Sequence, residues 1–344
     1  MSRGHRVSAV LFAAVVFPAT GSRPVFAEWP AATTEAAAPW IPAGSRRVFD
    51  ALPPAKTPNS QENNPGGLFQ KAVTYYREGM TPQAIATYDE IVRRFGDDER
   101  PTARKWVAKA LFNKADTFFA QGQVAEALAV YDEAERRFAD DRNFEIRQTM
   151  FGMLLNKGEA LAHQGNIWGK IFVLETLDRR FSRDADPGIR AWAINALDDK
   201  AMTLNQHGMS DEAIAVFDDI ERRFGGEHTP VIRQQLVKAL VDKGIVLGKR
   251  GSLAEVAAIS DAIDRRFGKD DSPEIQEAVS RSLVNKGVAL AQQGRRRDAI
   301  AAFEHVENRF SKVDSPSLRE QVARARDYKK QLSPEEKKRP PAKH

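Results

Sequence analysis

Six short strings in the sequence place arginines beside an aromatic ring and close to acidic residues. The first reads IVRRFGDD, and the six rings are Phe95, Phe138, Phe181, Phe224, Phe267 and Phe310. Arginine can bind a phosphate or a carboxylate through charge-assisted hydrogen bonds. The acids that follow, Asp97 and Asp98 in the first string, would cancel much of the field that such an anion feels. The motif is therefore either an anion site or a product of how the chain is built.

The spacing of these strings favours the second explanation. Consecutive rings lie 43 residues apart, without one insertion or deletion. Three further columns keep that interval: Gly79, Gly122, Gly165, Gly208, Gly251 and Gly294; Leu68, Leu111, Leu154, Leu197, Leu240 and Leu283; Lys71, Lys114, Lys157, Lys200, Lys243 and Lys286. An internal period of this length indicates a solenoid or a propeller, in which each unit buries its apolar face on the next.

Each unit is predicted to contain two helices joined at the glycine. Apolar residues follow steps of three and four on both sides of Gly294, which can adopt the positive φ of a helix C-terminus. The two series are Ile275, Val279, Leu283, Gly287 and Leu290, then Ala299, Ile300, Phe303, Val306 and Phe310. First helices are predicted to start at Asp186-Pro187, Thr229-Pro230, Ser272-Pro273 and Ser315-Pro316, where the first residue can cap the helix. A propeller blade has a similar length, but the alternation of strands is missing.

The order of residues within a unit resembles the tetratricopeptide repeat. The string NKGVALAQQGRRRDAIAAFEHV, residues 285–306, carries that family's small residue Gly287, its turn glycine Gly294, Ala299 where the helices cross, and the ring Phe303. The resemblance covers roughly Leu68 to Phe310 and recurs in six units. The usual period of the family is 34 residues. HEAT-like repeats match the longer period better, but the glycine and alanine positions favour the tetratricopeptide class.

The resemblance implies an all-α fold, a right-handed α-α superhelical solenoid of six helix pairs over residues 67–310. The surplus length predicts a first helix extended by about two turns at its N-terminal end, about 30 Å long between Pro273 and Gln293. A polar capping helix is expected over 311–332, because Arg326 and Lys330 stand where the leucine and the glycine belong.

Two units depart from the pattern. Unit three has Lys170 where units one, two, four and six carry Ala84, Ala127, Ala213 and Ala299, and Leu174 where those units carry a ring. Unit five has Val256 and Ser260 at those positions. Either the repeat has decayed there, or the units open locally for binding, since broken local rules can mark functional sites.

The two ends of the chain are predicted to lie outside the solenoid. Residues 1–27 are typical of a secretory signal cleaved after Ala27, and their eleven apolar residues are too few for a membrane-spanning helix, which needs roughly 20. We therefore expect a periplasmic or secreted protein with no integral membrane segment after cleavage. Residues 28–66 are interpreted as an Ala- and Pro-rich disordered tether containing Trp29, Trp40 and Phe49, and residues 333–344 as a basic disordered tail.

Several function classes find no support in the composition. The chain has no cysteine, its histidines have no metal-ligand spacing, and it contains neither a phosphate loop nor a nucleophile elbow. We therefore expect no catalysis, no metal and no cofactor. Of the formal charge of +5, residues 1–27 carry +3 and residues 324–344 carry +5, which leaves residues 28–323 at −3. This slightly acidic body is a poor partner for nucleic acid.

In the tetratricopeptide family the first helices line a concave groove that receives segments of partner proteins. The register predicts that the groove of this chain presents a column of Asn113, Asn156, Asp199, Asp242 and Asn285, together with Asp116, Glu159, Phe119, His163, Asn205, Lys249 and Gln292. Asn and Asp can hydrogen-bond a peptide backbone, although each could equally be a solvated helix residue. A clamp for a carboxylate tail is not expected, because no arginine falls on the Asn156 column.

The sequence thus predicts an exported scaffold that binds protein or peptide partners through this groove, with self-association left open. The alternative is a structural cell-envelope component that binds glycan or peptidoglycan through its tether and basic tail. Arg-Arg-Phe is interpreted as structural, because it would end each second helix, where arginine favours the negative end of the helix dipole and phenylalanine closes the apolar stripe.

Overall fold

The computed structural model describes residues 64–332, and the predicted signal, most of the predicted tether and the tail lie outside this range. The helices are α1 (Pro65–Arg77), α2 (Thr81–Phe95), α3 (Pro101–Ala120), α4 (Val124–Phe138), α5 (Phe144–His163), α6 (Ile167–Phe181), α7 (Pro187–Gln206), α8 (Ser210–Phe224), α9 (Pro230–Arg250), α10 (Leu253–Phe267), α11 (Pro273–Gln292), α12 (Arg296–Phe310) and α13 (Pro316–Leu332). Because α1 begins at Pro65, the last two residues of the predicted tether belong to a helix. The predicted all-α fold is confirmed.

The helices alternate between a longer first helix and a shorter second helix in each unit. Every second helix from α2 to α12 has 15 residues. The first helices α3, α5, α7 and α11 have 20 residues and α9 has 21, whereas α1 has 13. At 1.5 Å per residue a 20-residue helix is about 30 Å long. The predicted extension of the first helix is therefore confirmed from α3 onward.

The turn between the two helices of a unit depends on its glycine. All six turn glycines have φ between 75° and 86°, a conformation that side chains with a Cβ rarely adopt. The residue after each turn glycine donates its backbone N–H to the carbonyl of the residue five positions earlier, as Arg295 does to Leu290 at 2.9 Å. This is the hydrogen-bond pattern of a glycine-terminated helix, as the sequence predicted.

The starts of the first helices differ in part from the prediction. The Asp186 side chain accepts hydrogen bonds from the amides of Gly188 and Ile189, as expected of a cap. Thr229 and Ser272 make no side-chain cap, so the capping prediction was wrong for them. Before α11 the carboxylate of Asp270 instead accepts from the Ser272 amide at 3.0 Å and holds that turn.

The packing of the helices produces a curved stack. Each first helix packs closely along the first helix of the next unit, from α1 through α13, whereas the backbones of the second helices of residues 64–332 do not approach one another and are linked only through long side chains. The first helices therefore lie on the inside of the curve and the second helices on the outside. We call the stacked first helices the inner wall. The predicted solenoid is confirmed.

The repeated lysines tie each unit to the one before it. From α3 onward, the lysine of a first helix reaches an acid on the preceding second helix, at 2.5 to 2.7 Å between nitrogen and oxygen. The pairs are Lys114 with Asp89, Lys157 with Asp132, Lys200 with Glu175, Lys243 with Asp218, and Lys286 with Asp261. The lysine column is therefore structural.

The Arg-Arg-Phe strings also connect neighbouring units. In units three, four and six the arginine before the ring reaches back to an acid of the previous second helix: Arg180 to Glu135 at 2.8 Å, Arg223 to Asp178 at 2.7 Å and Arg309 to Asp264 at 2.7 Å. The guanidinium of Arg223 also lies 5.1 Å from the ring centre of the buried Phe224. Both the charge and the ring are thus engaged within the chain, which confirms the structural interpretation of the motif.

Gly287 in the first helix of unit six can be compared with Gly244, its counterpart in unit five. A Cβ at Gly287 would lie 2.4 Å from the ring of Phe303, whereas a Cβ at Gly244, the same repeat position, would lie 3.6 Å from Ile259. We expect Gly287→Ala to lower the free energy of unfolding by about 1 to 3 kcal/mol through overpacking. We expect Gly244→Ala to raise it by up to about 1 kcal/mol, as alanine does in a helix interior.

Urea unfolding of the two variants and the unchanged chain measures this difference. Equal effects at both positions would contradict the close approach of α11 and α12 at Phe303.

Candidate functional site

The polar column predicted to face an open groove is partly buried. Asn113 is fully buried and its side-chain amide lies 3.4 Å from the hydroxyl of Tyr88, while Asn285 and Asp242 are also buried. The prediction that these three residues line open space was wrong. Successive first helices pack directly on one another, so the column lies in the seam between them. Buried side chains cannot reach a partner in this conformation, so Asn113, Asp242 and Asn285 are not part of the candidate site.

Asp116 and Asn156 are brought together as partners of each other. The Asp116 carboxylate accepts hydrogen bonds from the Asn156 amide at 2.6 Å and from the Tyr131 hydroxyl at 3.0 Å. Burial, with the charge of Asp116, raises the pKa of Tyr131 well above its usual range. Both predicted residues thus lie in the wall, but their hydrogen-bonding groups hold α3, α4 and α5 together.

Lys170 stands where the inner wall is least tightly closed. Among the first helices, α5 and α7 contact each other least, and the ammonium of Lys170 from α6 bridges them, 2.7 Å from Glu159 and 3.0 Å from Asp199. The stem of Lys170 passes close to Gly158, where a Cβ would make an ordinary van der Waals contact with it at 3.5 Å. Burial raises the pKa of Asp199, and the charge of Lys170 opposes this.

Units three and five, which depart from the repeat pattern, are therefore packed in different ways. In unit three the buried Lys170 replaces apolar packing by an ion bridge at a looser joint. In unit five Val256 and Ser260 are buried, and the Ser260 hydroxyl donates to the carbonyl of Ser282 at 3.0 Å. Unit five is closed by ordinary packing, whereas in unit three the first helices α5 and α7 approach each other less closely.

A second ion cluster lies between α7 and α9. The ammonium of Lys238 contacts Asp198 and lies 3.7 Å from Asp242. Burial, followed by the charge of Asp198, raises the pKa of Asp242 to about 7. Although burial lowers the pKa of Lys238, the charges of Asp198 and Asp242 raise it overall. The sequence placed Asp242 in the groove but gave no sign of this cluster, because it depends on how two neighbouring helices meet.

The basic positions of the wall are neutralised within the chain. Lys109 lies 3.9 Å from Glu145, Lys238 contacts Asp198, and Arg281 pairs with Glu277 at 2.9 Å. Burial lowers the pKa of Lys109. These three paired cations offer little attraction to a polyanion or to a free carboxylate.

The accessible members of the predicted set lie near the C-terminal ends of the first helices. His163 and Lys249 are exposed, and the rings of Phe119 and His163 meet edge to face with centroids 6.0 Å apart. Asn205 is half-buried and its side-chain oxygen accepts from the Ser210 hydroxyl at 2.9 Å. Gln292 is half-buried at the end of α11. We call Phe119, His163, Asn205, Lys249 and Gln292 the wall edge.

Between Asn64 and Leu332, no group of three or more His, Cys, Asp or Glu side chains is arranged to hold a metal ion. In the same range no helix is long and apolar enough to cross a membrane.

Comparison with known proteins gives one family match and several structural neighbours. Residues 69–142 match the family model described as tetratricopeptide repeat. A crystal structure of a tetratricopeptide repeat protein from Parabacteroides merdae is 16% identical, covers 76% of this chain and 98% of that chain, and has a TM-score of 0.38. A structure of Naa15/Naa10 bound to HypK-THB is 13% identical, covers 76% of this chain and 39% of that chain, and has a TM-score of 0.26. No curated protein sequence matched the chain.

The buried carboxylate of Asp242 makes stability depend on pH. An aspartate of an unfolded chain titrates near pH 4, whereas burial raises the pKa of Asp242 in the fold to about 7. Between these values the folded state binds more protons, so the free energy of unfolding falls as the pH rises. Asp242→Asn removes this titration. We therefore expect the free energy of unfolding of the variant, relative to the unchanged chain, to be higher at pH 8 than at pH 5.

Urea unfolding at the two pH values measures the difference, and Asp97→Asn, at an exposed carboxylate outside the wall, is the control. A relative stability of Asp242→Asn that stays constant or falls between pH 5 and pH 8 would show that Asp242 is ionised in the fold without penalty.

Proposed function

We propose that this chain is a tetratricopeptide-like repeat protein that binds protein or peptide partners along its inner wall. Residues 69–142 match the tetratricopeptide repeat, and the other described units share the same helix pair. The fold is typical of protein-interaction scaffolds, because stacked helix pairs create an extended concave surface. The observation that carries the proposal is the continuous contact of first helices from α1 to α13, which builds one such surface across all units.

The wall edge supplies the groups that would touch a partner. Phe119 and His163 offer an aromatic pair for an apolar side chain, and Asn205 offers a polar group within reach of a peptide backbone. Lys249 adds an exposed cation at the C-terminal end of α9. Because Lys109, Lys238 and Arg281 are already paired within the chain, apolar contacts and hydrogen bonds would select the partner more than net charge. This favours a protein segment over nucleic acid.

The looser joint between α5 and α7 gives the wall a preferred point of entry. Glu159 and Asp199 are held there by Lys170 rather than by apolar packing, and the Phe119 and His163 rings lie on the neighbouring helices α3 and α5. A partner side chain that inserts at this joint would exchange one set of polar contacts for another, at low cost in buried apolar area. We infer that units two to four contribute most of the binding.

The site of action is proposed from the sequence. Residues 1–27 have the composition of a cleavable secretory signal, which supports export to the periplasm or beyond. The proposed activity is binding without catalysis, in keeping with the usual role of the family. Partner capture should therefore use proteins of the cell envelope or of the medium.

Affinity capture with matched variants tests the proposal. The bait is the chain from residue 28, and the inner-wall variant combines Phe119→Ala, His163→Ala and Lys249→Ala. We expect this variant to lose most of the bound partner, at least about tenfold, because central aromatic and charged contacts dominate interfaces. His305→Ala, at an exposed histidine on the outer helix α12, is expected to bind as the unchanged chain does.

Circular dichroism and thermal unfolding must first show that all three proteins fold alike. Unchanged capture by the inner-wall variant would contradict the proposal. If capture then disappears on replacing the basic residues of 333–344 with serine, the alternative of an envelope component that binds glycan through its ends takes its place.

A further inference from the structure

The outer face of α6 exposes two large aromatic side chains. Trp168 is 67% exposed and Phe172 is 62% exposed, and the two lie one helical turn apart. At the position of Phe172 the other units all carry alanine: Ala86, Ala129, Ala215, Ala258 and Ala301. At the position of Trp168 they carry Pro82, Ala125, Asp211, Ala254 and Arg297. The pair is therefore a feature of unit three and not of the repeat.

Unit three also differs from other units at Thr176, one helical turn after Phe172 on α6. The guanidinium of Arg179 lies 5.5 Å from the ring centre of Phe172 and donates to the hydroxyl of Thr176 at 2.7 Å. In units one, two and four the position of Thr176 is an acid that pairs with the second arginine of the motif: Glu90 with Arg94, Glu133 with Arg137, and Asp219 with Arg223. Unit three thus presents two rings and a cation without an acid between them. We call Trp168, Phe172, Thr176 and Arg179 the α6 stripe.

We propose that the α6 stripe is the docking site for residues 28–45 of the same chain. This segment contains Pro30, Pro39 and Pro42 together with Trp29 and Trp40. Proline-rich segments bind to exposed aromatic side chains, because their preferred extended conformation loses little entropy on binding.

The charges of the two partners are complementary. The segment EWPAATTEAAAPWIPAGS carries two glutamates and neither lysine nor arginine. The stripe carries Arg179 as its charged group, and the nearby acids are engaged elsewhere, Glu175 with Lys200 and Asp178 with Arg223. An acidic proline-rich segment therefore meets a cationic aromatic surface.

The linker between the segment and α1 is long enough for the segment to reach the α6 stripe. Eighteen residues, 46–63, separate it from Asn64 at the start of α1, and they can span at most about 60 Å. From α1 to α6 the path crosses about three helix spacings of 8 to 10 Å and about 20 Å along the helix axis, or about 35 Å in all. The linker therefore exceeds the required distance.

The small size of the stripe favours an occupant from the same chain. Two rings and one guanidinium cover far less than the roughly 800 Å² that each partner contributes to a stable complex between separate proteins. A tethered segment needs less, because the linker holds it at an effective concentration of the order of millimolar. The proposal concerns the outer face and stands independently of partner binding at the inner wall.

A distance measurement between two introduced labels tests the docking. Because the chain has no cysteine, Ala37→Cys and Ala215→Cys place one spin label in the segment and one on the exposed face of α8. We expect double electron–electron resonance to give a population below about 30 Å, since neighbouring helices are separated by about 10 Å. Adding Trp168→Ala and Phe172→Ala should reduce that population at least about fivefold, through the loss of aromatic contact area.

The matched control is Phe144→Ala, which removes an exposed ring of the same unit at the opposite end of the helix pair. It is expected to retain the short distance. Thermal unfolding of every labelled chain confirms that the solenoid is intact before distances are compared.

Three results would overturn the proposal. The first is a broad, long distance in the unchanged labelled chain. The second is a short distance that survives Trp168→Ala with Phe172→Ala. The third is a short distance that disappears on dilution into excess unlabelled chain, because the segment would then occupy a second copy.

Discussion

Each unit of this solenoid is held to its neighbour at the ring that ends its second helix. Phe224 is buried there, Arg223 lies over it, and the same guanidinium pairs with Asp178 one unit earlier. At this contact the ring contributes more than the ion pair, since a buried phenylalanine is worth about 3 to 5 kcal/mol against alanine. The ion pairs, being half-exposed, are worth about 0 to 1 kcal/mol each and chiefly fix how one unit sits on the next. An insertion within a unit would displace its ties on both sides, which explains the unbroken interval of 43 residues.

The elements of the fold could be predicted because their causes are local. The glycine of each turn, the apolar steps of each helix and the extended first helix follow from a few neighbouring residues. The groove was harder, because the burial of Asn113 and Asp242 depends on the angle between successive first helices. The lysine ties could have been predicted from the sequence, since from Lys114 onward each repeated lysine follows an acid by 25 residues, as Lys114 follows Asp89.

The residues of α6 that differ from their counterparts in the other units contribute to both proposals. On α6, Lys170 points into the joint between α5 and α7, and Phe172 on the same helix is exposed on the outside. The sequence showed Lys170 as a departure from a small residue, but the exposure of Trp168 and Phe172 became evident only in the packed structure. A helix that differs from its counterparts on both faces connects the inner wall to the outer surface within one unit.

The most direct measurement is a double-mutant cycle on Arg223 and Asp178, with each residue changed to alanine singly and together and the free energies of unfolding compared in urea. If arginine ties the units together, we expect a favourable coupling free energy of about 0.5 to 1 kcal/mol at low salt. That coupling should shrink as salt screens the pair. A coupling of zero at low salt, with inorganic phosphate stabilising the chain through Arg223, would contradict the account and make the motif an anion site.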